Sequence, residues 1–413
     1  MRIKLSVKWN TELAIAWLFL TPQINYYLAN ILDMYGMPTI TPLIYLMAAI
    51  LGILSYGQTL KTKQGMLFTW TLVVLVIVSA FVNDQTTKYM FDSNILQSGL
   101  ILLLFLYFPV FLLLQQQIDF KRLMNYLWKG SLITLCFAVG AFCKLVSFRN
   151  DRTFDYMSFA YMMLSPIMIC LIQEWQKKRV QLVLPIAASV VLFVIGCRGA
   201  AVALAFFLVV CFLDLYFRGG RTVRHLFVKL IMVIGAVLIG LNLNFIMKKK
   251  VILLDSFGFS SRTLEALLLG KGLFIKSIKS DGRRSIWKQA IDNIGIMGKG
   301  LFGDRTVILD EYHNPVYPHN FILEVMVDFG MVIGSILVLS FIILVIKAVF
   351  KSYKSNDMQK IQMTYAMLTI LLIKHMVSAS FLTSFDFWFY IGLAMNLIIY
   401  SNDCLKSVPQ QEE

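Results

Sequence analysis

Charged side chains are scarce in this chain, since only 15% of its 413 residues are Asp, Glu, Lys or Arg while 58% are hydrophobic. A soluble domain needs a more polar surface, so the composition excludes an ordinary soluble protein. The chain has no CxxC pair, and most of its six cysteines lie inside apolar runs, which argues against a disulfide framework. Its four histidines include no pair at the helical spacing of a zinc site.

What the chain does contain is a series of long apolar runs separated by short charged clusters. Each run is near the roughly 20 residues that a helix needs to cross a hydrocarbon layer of about 30 Å. Because a helix satisfies its own backbone hydrogen bonds in lipid, we predict an all-α, polytopic integral membrane protein with about twelve transmembrane helices. The candidate spans are 13–31, 38–56, 66–82, 95–114, 123–142, 156–172, 180–195, 200–217, 226–247, 331–346, 363–381 and 387–400.

The net charge of +15 comes from basic residues at the ends of apolar runs. This distribution favours topology signals and anionic lipid head groups, and it argues against nucleic acid as a partner. Basic clusters such as Lys61 with Lys63, and Lys351 with Lys354, recur on alternate connections. By the positive-inside rule those connections face the cytoplasm. With twelve spans, both termini are then cytoplasmic and the long segment before the late spans lies on the outer face.

Four regions follow from this arrangement. We predict an N-terminal bundle of about nine spans, an extracytoplasmic catalytic loop, C-terminal transmembrane helices and a cytoplasmic tail, over residues 1–247, 248–320, 321–402 and 403–413. The loop is expected to contain short helices over 262–269 and 285–294. The second of these has an apolar stripe at helical spacing, formed by Ile286, Trp287, Ala290, Ile291 and Ile294.

The end of the loop carries the best candidate for acid–base chemistry. Pro318 is typical of a first helical position, which would place His319 and Asn320 in the first turn. There an imidazole tends to stay neutral and can act as a general base, although a capping or anchoring histidine is the alternative. Asn320, Glu324 and Asp328 recur every four residues as a polar stripe. Glu324 is expected to support His319 or a basic partner, unless the stripe simply faces water.

Arginines supply the candidate anion site. Arg283 and Arg284 precede an apolar helix at head-group level, where guanidinium groups pair well with phosphate oxygens or with anionic lipid. Arg198 lies between two apolar runs, where a charge is costly unless it is paired, functional or snorkelling. Lys374 and His375, inside the eleventh span, are either cavity-lining residues or an interior polar pair.

Two further patterns carry little weight. A G-x-G-x-x-G match follows no buried strand, so it does not predict a dinucleotide site; it is formed by Gly298, Gly300 and Gly303. A group of acidic and histidine residues does not have the spacing of a metal site, and we predict no metal; its members are Asp310, Glu311, His313 and His319.

Together these residues resemble the O-antigen polymerase and ligase superfamily of bacterial membrane glycosyltransferases. The shared features are an arginine–glycine pair between two spans, a G-R-x-x-I-W segment, a downstream G-x-G, and P-H-N-x-x-L-E before a glycine-rich span. In this chain they are Arg198 and Gly199; Gly282, Arg283, Ile286 and Trp287; Gly298 and Gly300; and 318–324 with Phe329, Gly330 and Gly334.

The resemblance implies a metal-independent glycosyltransferase without a cofactor. Its donor and acceptor would be undecaprenyl-diphosphate-linked glycans at the outer face of the bacterial inner or cytoplasmic membrane. It implies that His319 activates the acceptor hydroxyl, that Arg198 and Arg283 engage the donor diphosphate, and that the anomeric centre inverts. A second His-Asn pair at His313 and Asn314 departs from the family pattern, and the Leu-Glu that follows His319 favours His319.

The reaction has three candidate forms. We favour polymerisation of repeat units into O-antigen, capsular or exopolysaccharide, because polymerases are the more numerous group. A ligase would instead transfer the glycan to lipid A core. A transporter or flippase would be expected to show paired intramembrane charges and two related halves, whereas here the basic residues and histidines concentrate in one loop. Membrane lipids, a chain-length regulator and a separate flippase are the expected partners.

Overall fold

The computed structural model describes residues 9–32, 40–91, 99–147, 155–177, 182–195, 197–218 and 283–400. In these ranges the secondary structure is helical, apart from one isolated bridge between Leu309 and Pro315. The all-α prediction is therefore confirmed for this part of the chain. The candidate span 226–247, the loop helix 262–269 and the tail 403–413 lie outside the described residues.

The helices follow one another with short connections. The first nine are α1 Thr11–Leu32, α2 Ile40–Thr59, α3 Lys63–Val82, α4 Gln85–Met90, α5 Gly99–Leu113, α6 Phe120–Ser147, α7 Tyr156–Lys177, α8 Val183–Ile195 and α9 Arg198–Arg218. After the undescribed stretch come α10 Arg283–Asp292, α11 Asp304–Val307, α12 Phe321–Lys354, α13 Met358–Leu368 and α14 Phe385–Tyr400. A π-helical turn, Thr369–Lys374, and a final turn, His375–Val377, continue α13.

Several of these helices have the properties of membrane spans. Four are long and apolar enough to cross a bilayer, namely α2, α3, α6 and α12, and α5, α7, α8, α9 and α14 are shorter apolar helices. The predicted count of about twelve is not confirmed by this set. The candidate span 363–381 is wrong at its end, because the helix stops at Val377. Beyond that point the backbone of Ser378 and Phe381 hydrogen-bonds to side chains of the loop and α12 instead of continuing a helix.

The first helix lies at the centre of the core. Ile15, Leu18 and Phe19 of α1 are fully buried, and α1 packs against α2, α6 and α14. The Phe19 ring stacks on Phe389 of α14, with ring centroids 4.0 Å apart. These contacts join the N-terminal helices to the last helix, so both ends of the described chain build one core.

A kink divides α12 into two parts with different surroundings. At 1.5 Å per residue its 34 residues would measure about 51 Å, well over the roughly 30 Å of a hydrocarbon layer. The break is at Gly330, whose φ of 77° and ψ of 173° are not helical. Before it, 321–329 is largely buried; after it, Met331, Val332 and Ile333 expose apolar side chains as a lipid-facing helix does.

The loop segment 295–300 completes the backbone hydrogen bonds that the kink breaks. The three bonds are Lys299 N–H to Val327 O at 3.0 Å, Gly300 N–H to Asp328 O at 2.9 Å, and Met331 N–H to Gly295 O at 2.8 Å. No side chain fits between the two backbones: a Cβ on Gly298 would lie 2.1 Å from Asp328 O, and one on Gly330 would lie 2.5 Å from Ile296 O. The glycines of the G-x-G pattern therefore serve this backbone contact.

Candidate functional site

The loop over residues 308–320, which carries His313 and His319 and is here called the histidine loop, leads directly into α12. Asn320 is the N-cap, and its side-chain oxygen accepts the Leu323 N–H at 3.1 Å. The prediction that Pro318 starts the helix and that His319 and Asn320 occupy its first turn is therefore wrong. The asparagine side chain is a strong N-cap, and it fixes the start at Phe321. His319 precedes the helix with a φ of 54°, in the left-handed region.

His319 is half-buried and its neighbours are fixed by polar contacts. Its ring centroid lies 4.2 Å from that of Tyr317. The Tyr317 hydroxyl donates to Ser378 O at 2.8 Å, and the Asn320 amide donates to Met376 O at 3.4 Å. The residues on both sides of His319 are thus attached to the chain that follows α13.

The other loop histidine has a different environment. His313 is exposed, with a φ of 63°, in a turn organised by Asp310. The Asp310 carboxylate accepts the N–H groups of Tyr312 and Asn314, each at 2.8 Å, and these hydrogen bonds lower the pKa of Asp310. Its oxygens therefore maintain the turn. Within the described ranges, no three histidine, cysteine or acidic side chains converge as metal ligands.

Helix α10 contacts the histidine loop through Trp287. Arg283 and Trp287 are four residues apart, so they share one face of α10. The Trp287 indole N–H donates to Pro318 O at 2.9 Å, directly before His319. The positive charge of Arg283 also acts against the burial that raises the pKa of Tyr317 to about 12. Arg284 is exposed on the adjacent face of the helix.

The apolar stripe of α10 is only partly buried. The helix spans Arg283–Asp292, against the predicted 285–294. Ile286 and Ala290 pack against Ile308 and Val327, as the stripe predicts. Ile291, however, is 58% exposed, so this part of the stripe is not packed against the loop or α12. The buried face is narrower than the stripe because α10 rests on one partner, the start of α12 with its preceding loop.

The positive charge of Arg283 acts on the residue that precedes α9. Arg198 is the first residue of α9. Its backbone belongs to the described part of the structure, and its side chain does not. Burial raises the pKa of the preceding Cys197 thiol, and the charge of Arg283 opposes that effect. The Tyr161 side chain lies directly against Gly199. A Cβ on Gly199 would be 1.8 Å from the Tyr161 hydroxyl oxygen, so a larger residue does not fit there.

The carboxylates of the predicted polar stripe are buried. Glu324 and Asp328 are each 1% exposed, so the water-facing alternative is wrong. Glu324 accepts hydrogen bonds from the Ser380 hydroxyl and, at 3.2 Å, from the Phe381 N–H. Asp328 accepts the backbone N–H of Asp304 at 2.9 Å. The two side chains hold the segment after α13 and the α11 turn against α12.

Sequence analysis did not identify two residues of this region. Asp304 is fully buried, and burial raises its pKa to about 6 despite the opposing charge of Arg305. Arg305 lies over the Phe302 ring, with its guanidinium carbon 5.0 Å from the centroid, and its charge also acts on Tyr317. Neither position has a local sequence signal, because only the packing of α11 on α12 brings them together. Tyr317 is more readily found, as an aromatic two residues before the histidine.

Lys374 and His375 form an interior polar group. Lys374 Nζ lies 2.5 Å from an Asp386 carboxylate oxygen, and both side chains are almost completely buried. The ammonium also lies 5.5 Å from the ring centroids of Tyr161 and Phe385. His375 is fully buried beside Asp386. The structure supports the interior-pair interpretation, with Asp386 as the partner that the sequence analysis did not name.

Trp287 thus links α10 to the residue before His319. Asn320 and Glu324 attach the start of α12 to the chain that follows α13. Residues 183–339 match the family model described as O-antigen ligase. This segment is less than half of the chain, and its match supports the resemblance to the O-antigen polymerase and ligase superfamily. No curated protein and no solved structure matches the chain.

The superfamily resemblance drawn from the sequence is confirmed. The matched segment includes Arg198, Arg283, Arg284, His319, Asn320 and Glu324. The match indicates a glycosyltransferase-like enzyme with lipid-linked glycans as substrates. With its apolar helices, it also indicates a protein of the bacterial inner membrane. The chemistry that the site can perform follows from its groups: an imidazole able to accept a proton and a guanidinium able to bind an anion.

Proposed function

We propose that this protein polymerises undecaprenyl-diphosphate-linked oligosaccharide repeat units into a cell-envelope polysaccharide. The observation that carries the proposal is the hydrogen bond from Trp287 to Pro318, which brings the arginine-bearing face of α10 to the residue before His319. A guanidinium beside an imidazole suits a reaction in which a hydroxyl is activated and a diphosphate departs. We place the site on the outer face of the membrane, with both termini in the cytoplasm.

In the proposed reaction His319 takes the proton from an acceptor hydroxyl, whose oxygen then bonds to the anomeric carbon of the donor. The bond between that carbon and the diphosphate oxygen breaks, and the configuration inverts. Arg283, with Arg198 and Arg284, stabilises the charge on the departing lipid diphosphate. Guanidinium groups supply the positive charge that the leaving group needs, so we propose a metal-independent mechanism. Asn320 and Glu324 are supporting residues that act through the loop.

The structure gives reasons for choosing His319 over His313. His319 is half-buried, and its ring centroid lies 4.2 Å from that of Tyr317. The residue before it, Pro318, accepts the Trp287 hydrogen bond. His313 lies exposed in a turn that Asp310 maintains. A general base must keep one position relative to its substrate, and only the first environment supports that.

Ligation to lipid A core is the second candidate, favoured by the description of the matching family model. Both reactions use the same donor, leaving group and base, and they differ in the acceptor. A transporter of lipid-linked glycan, the alternative from another class, would not form a new glycosidic bond. These three functions can be separated by their products.

The test uses the purified full-length protein with lipid-linked repeat units as the sole glycan. A ladder of longer glycans supports polymerisation; no ladder, with transfer only when lipid A core is supplied, supports ligation. No glycosidic product under either condition would overturn both enzymatic proposals. His319→Ala should abolish the product while His313→Ala, the matched control, leaves it. Full activity of His319→Ala would refute the assigned base.

A further inference from the structure

The backbone of His319 lies in the left-handed region of φ and ψ. A φ of 54° is uncommon for residues with a side chain, and it persists only where the surroundings impose it. Three hydrogen bonds surround this residue: Tyr317 hydroxyl to Ser378 O, Trp287 indole to Pro318 O, and the Asn320 cap to Leu323 N–H. Residues 317, 318 and 320 are therefore each held by a different element.

Only one of these three attachments reaches α10, the helix of Arg283. Tyr317 binds the segment after α13, and Asn320 belongs to α12 itself. Trp287, one turn after Arg283, contacts the residue that directly precedes His319. The Trp287 indole N–H therefore links the helix of the candidate anion-binding group directly to the residue before the candidate base.

Helix α10 does not need this hydrogen bond to stay in place. The Gln289 side chain makes two hydrogen bonds with the backbone of Leu309, one donated and one accepted, each at 3.0 Å. Ile286 and Ala290 pack beneath it in the apolar cluster. Trp287 is 38% exposed and contributes less to that packing. Loss of its N–H should therefore loosen Pro318 and His319 and leave the helix attached.

We propose that Trp287 is a positioning residue, which fixes His319 relative to Arg283 by holding Pro318 O. The inference rests on the proposed function for its catalytic consequence, but the positioning itself does not. Trp287→Phe is the informative variant, because it keeps an aromatic ring and removes the donor. Ile291→Ala on the same helix is the matched control, since it removes an exposed side chain of α10.

The first measurement does not depend on activity. Full-length protein is treated with diethyl pyrocarbonate, and modification of each histidine is followed by mass spectrometry, with exposed His313 as the internal reference. We expect Trp287→Phe to change the ratio of His319 to His313 modification several-fold, and Ile291→Ala to leave it unchanged. An unchanged ratio in Trp287→Phe would overturn the positioning role, whatever reaction the protein catalyses.

The second measurement is kinetic, with the lipid-linked donor. Because misplacing a reacting group by about 1 Å costs up to about 100-fold, we expect kcat to fall about 10- to 100-fold in Trp287→Phe. KM for the donor should stay within about twofold, since Arg283 remains on a fixed helix. Equal loss of kcat, donor affinity and thermal stability would indicate a structural role only and overturn the inference. An inactive wild type, by contrast, would refute the proposed function while the modification ratio still tests Trp287.

Discussion

Gly330→Ala should separate the loop from α12. The glycine has a φ of 77°, in a region where residues with a side chain are strained. A Cβ there would also lie 2.5 Å from Ile296 O and 2.6 Å from Gly298 N. These are backbone atoms that cannot rotate away, so the clash can be relieved only if the whole 295–300 segment moves.

The expected cost follows from two contributions. A side chain held at this φ and ψ costs about 1–3 kcal/mol in backbone strain. Displacing the segment also breaks the three hydrogen bonds at the kink, each worth about 1 kcal/mol net. Strain and lost hydrogen bonds together come to about 4–6 kcal/mol. Gly57 in α2 is the control, because a Cβ there meets nothing within 4 Å, and its replacement by alanine should be neutral or slightly stabilising.

Two assays would measure this effect. Thermal unfolding in detergent should show a lower midpoint for Gly330→Ala than for the wild type and for Gly57→Ala. Trypsin should also cleave faster after Lys299, whose N–H is bonded to Val327 O when the segment is in place. If Gly330→Ala kept both the wild-type midpoint and the wild-type cleavage rate, the kink would not depend on glycine and the reasoning would fail.

Three further outcomes are expected. The pKa of Asp304 in the folded state, about 6, lies above its ordinary 3.8, so stability should rise by up to about 3 kcal/mol as pH falls from above 6 to below 4. Asp304→Asn should reduce that rise in unfolding midpoints, and an unchanged pH dependence would contradict it. Lys374→Met should lower the free energy of unfolding by about 3–5 kcal/mol, because it leaves Asp386 charged and buried without its partner. Adding Asp386→Leu should restore much of that stability. A double variant no more stable than Lys374→Met alone would contradict the pairing. Gly199→Ala should lower stability and activity, and Tyr161→Phe should partly rescue it by removing the clashing oxygen; no rescue would refute that clash.

The sequence predicts what depends on local spacing. Arg283 and Trp287 are separated by one helical turn, so the helix places them on one face whatever the tertiary fold. Asn320 and its N–H partner three residues later are likewise a local motif, and a stricter preference for asparagine over proline as the start signal would have placed the helix correctly. The apolar runs predict helices because their hydrogen bonds are internal to each segment.

What the sequence does not predict depends on contacts between distant segments. Glu324 and Ser380 are 56 residues apart, and only the folded chain shows that this carboxylate is buried against the segment after α13. The partner of Lys374 could not be chosen either, since Asp386 belongs to a different helix. The sequence shows a glycine at position 330, but it does not predict the non-helical conformation there, because that conformation depends on the loop segment packed against it.

The kink gives a reason why the site is built at this point of α12. A straight 34-residue helix would carry Glu324 and Asp328 past the membrane surface with no partner for either carboxylate. Because Gly330 breaks the helix, the part before it turns into contact with the loop, where Asp328 meets the Asp304 N–H and Glu324 meets Ser380. The same break frees the Val327 and Asp328 carbonyls for segment 295–300, which follows directly from α10. The contacts that attach α10 and its following segment to α12 therefore depend on a single backbone conformation, and we expect the proposed site to be lost with it.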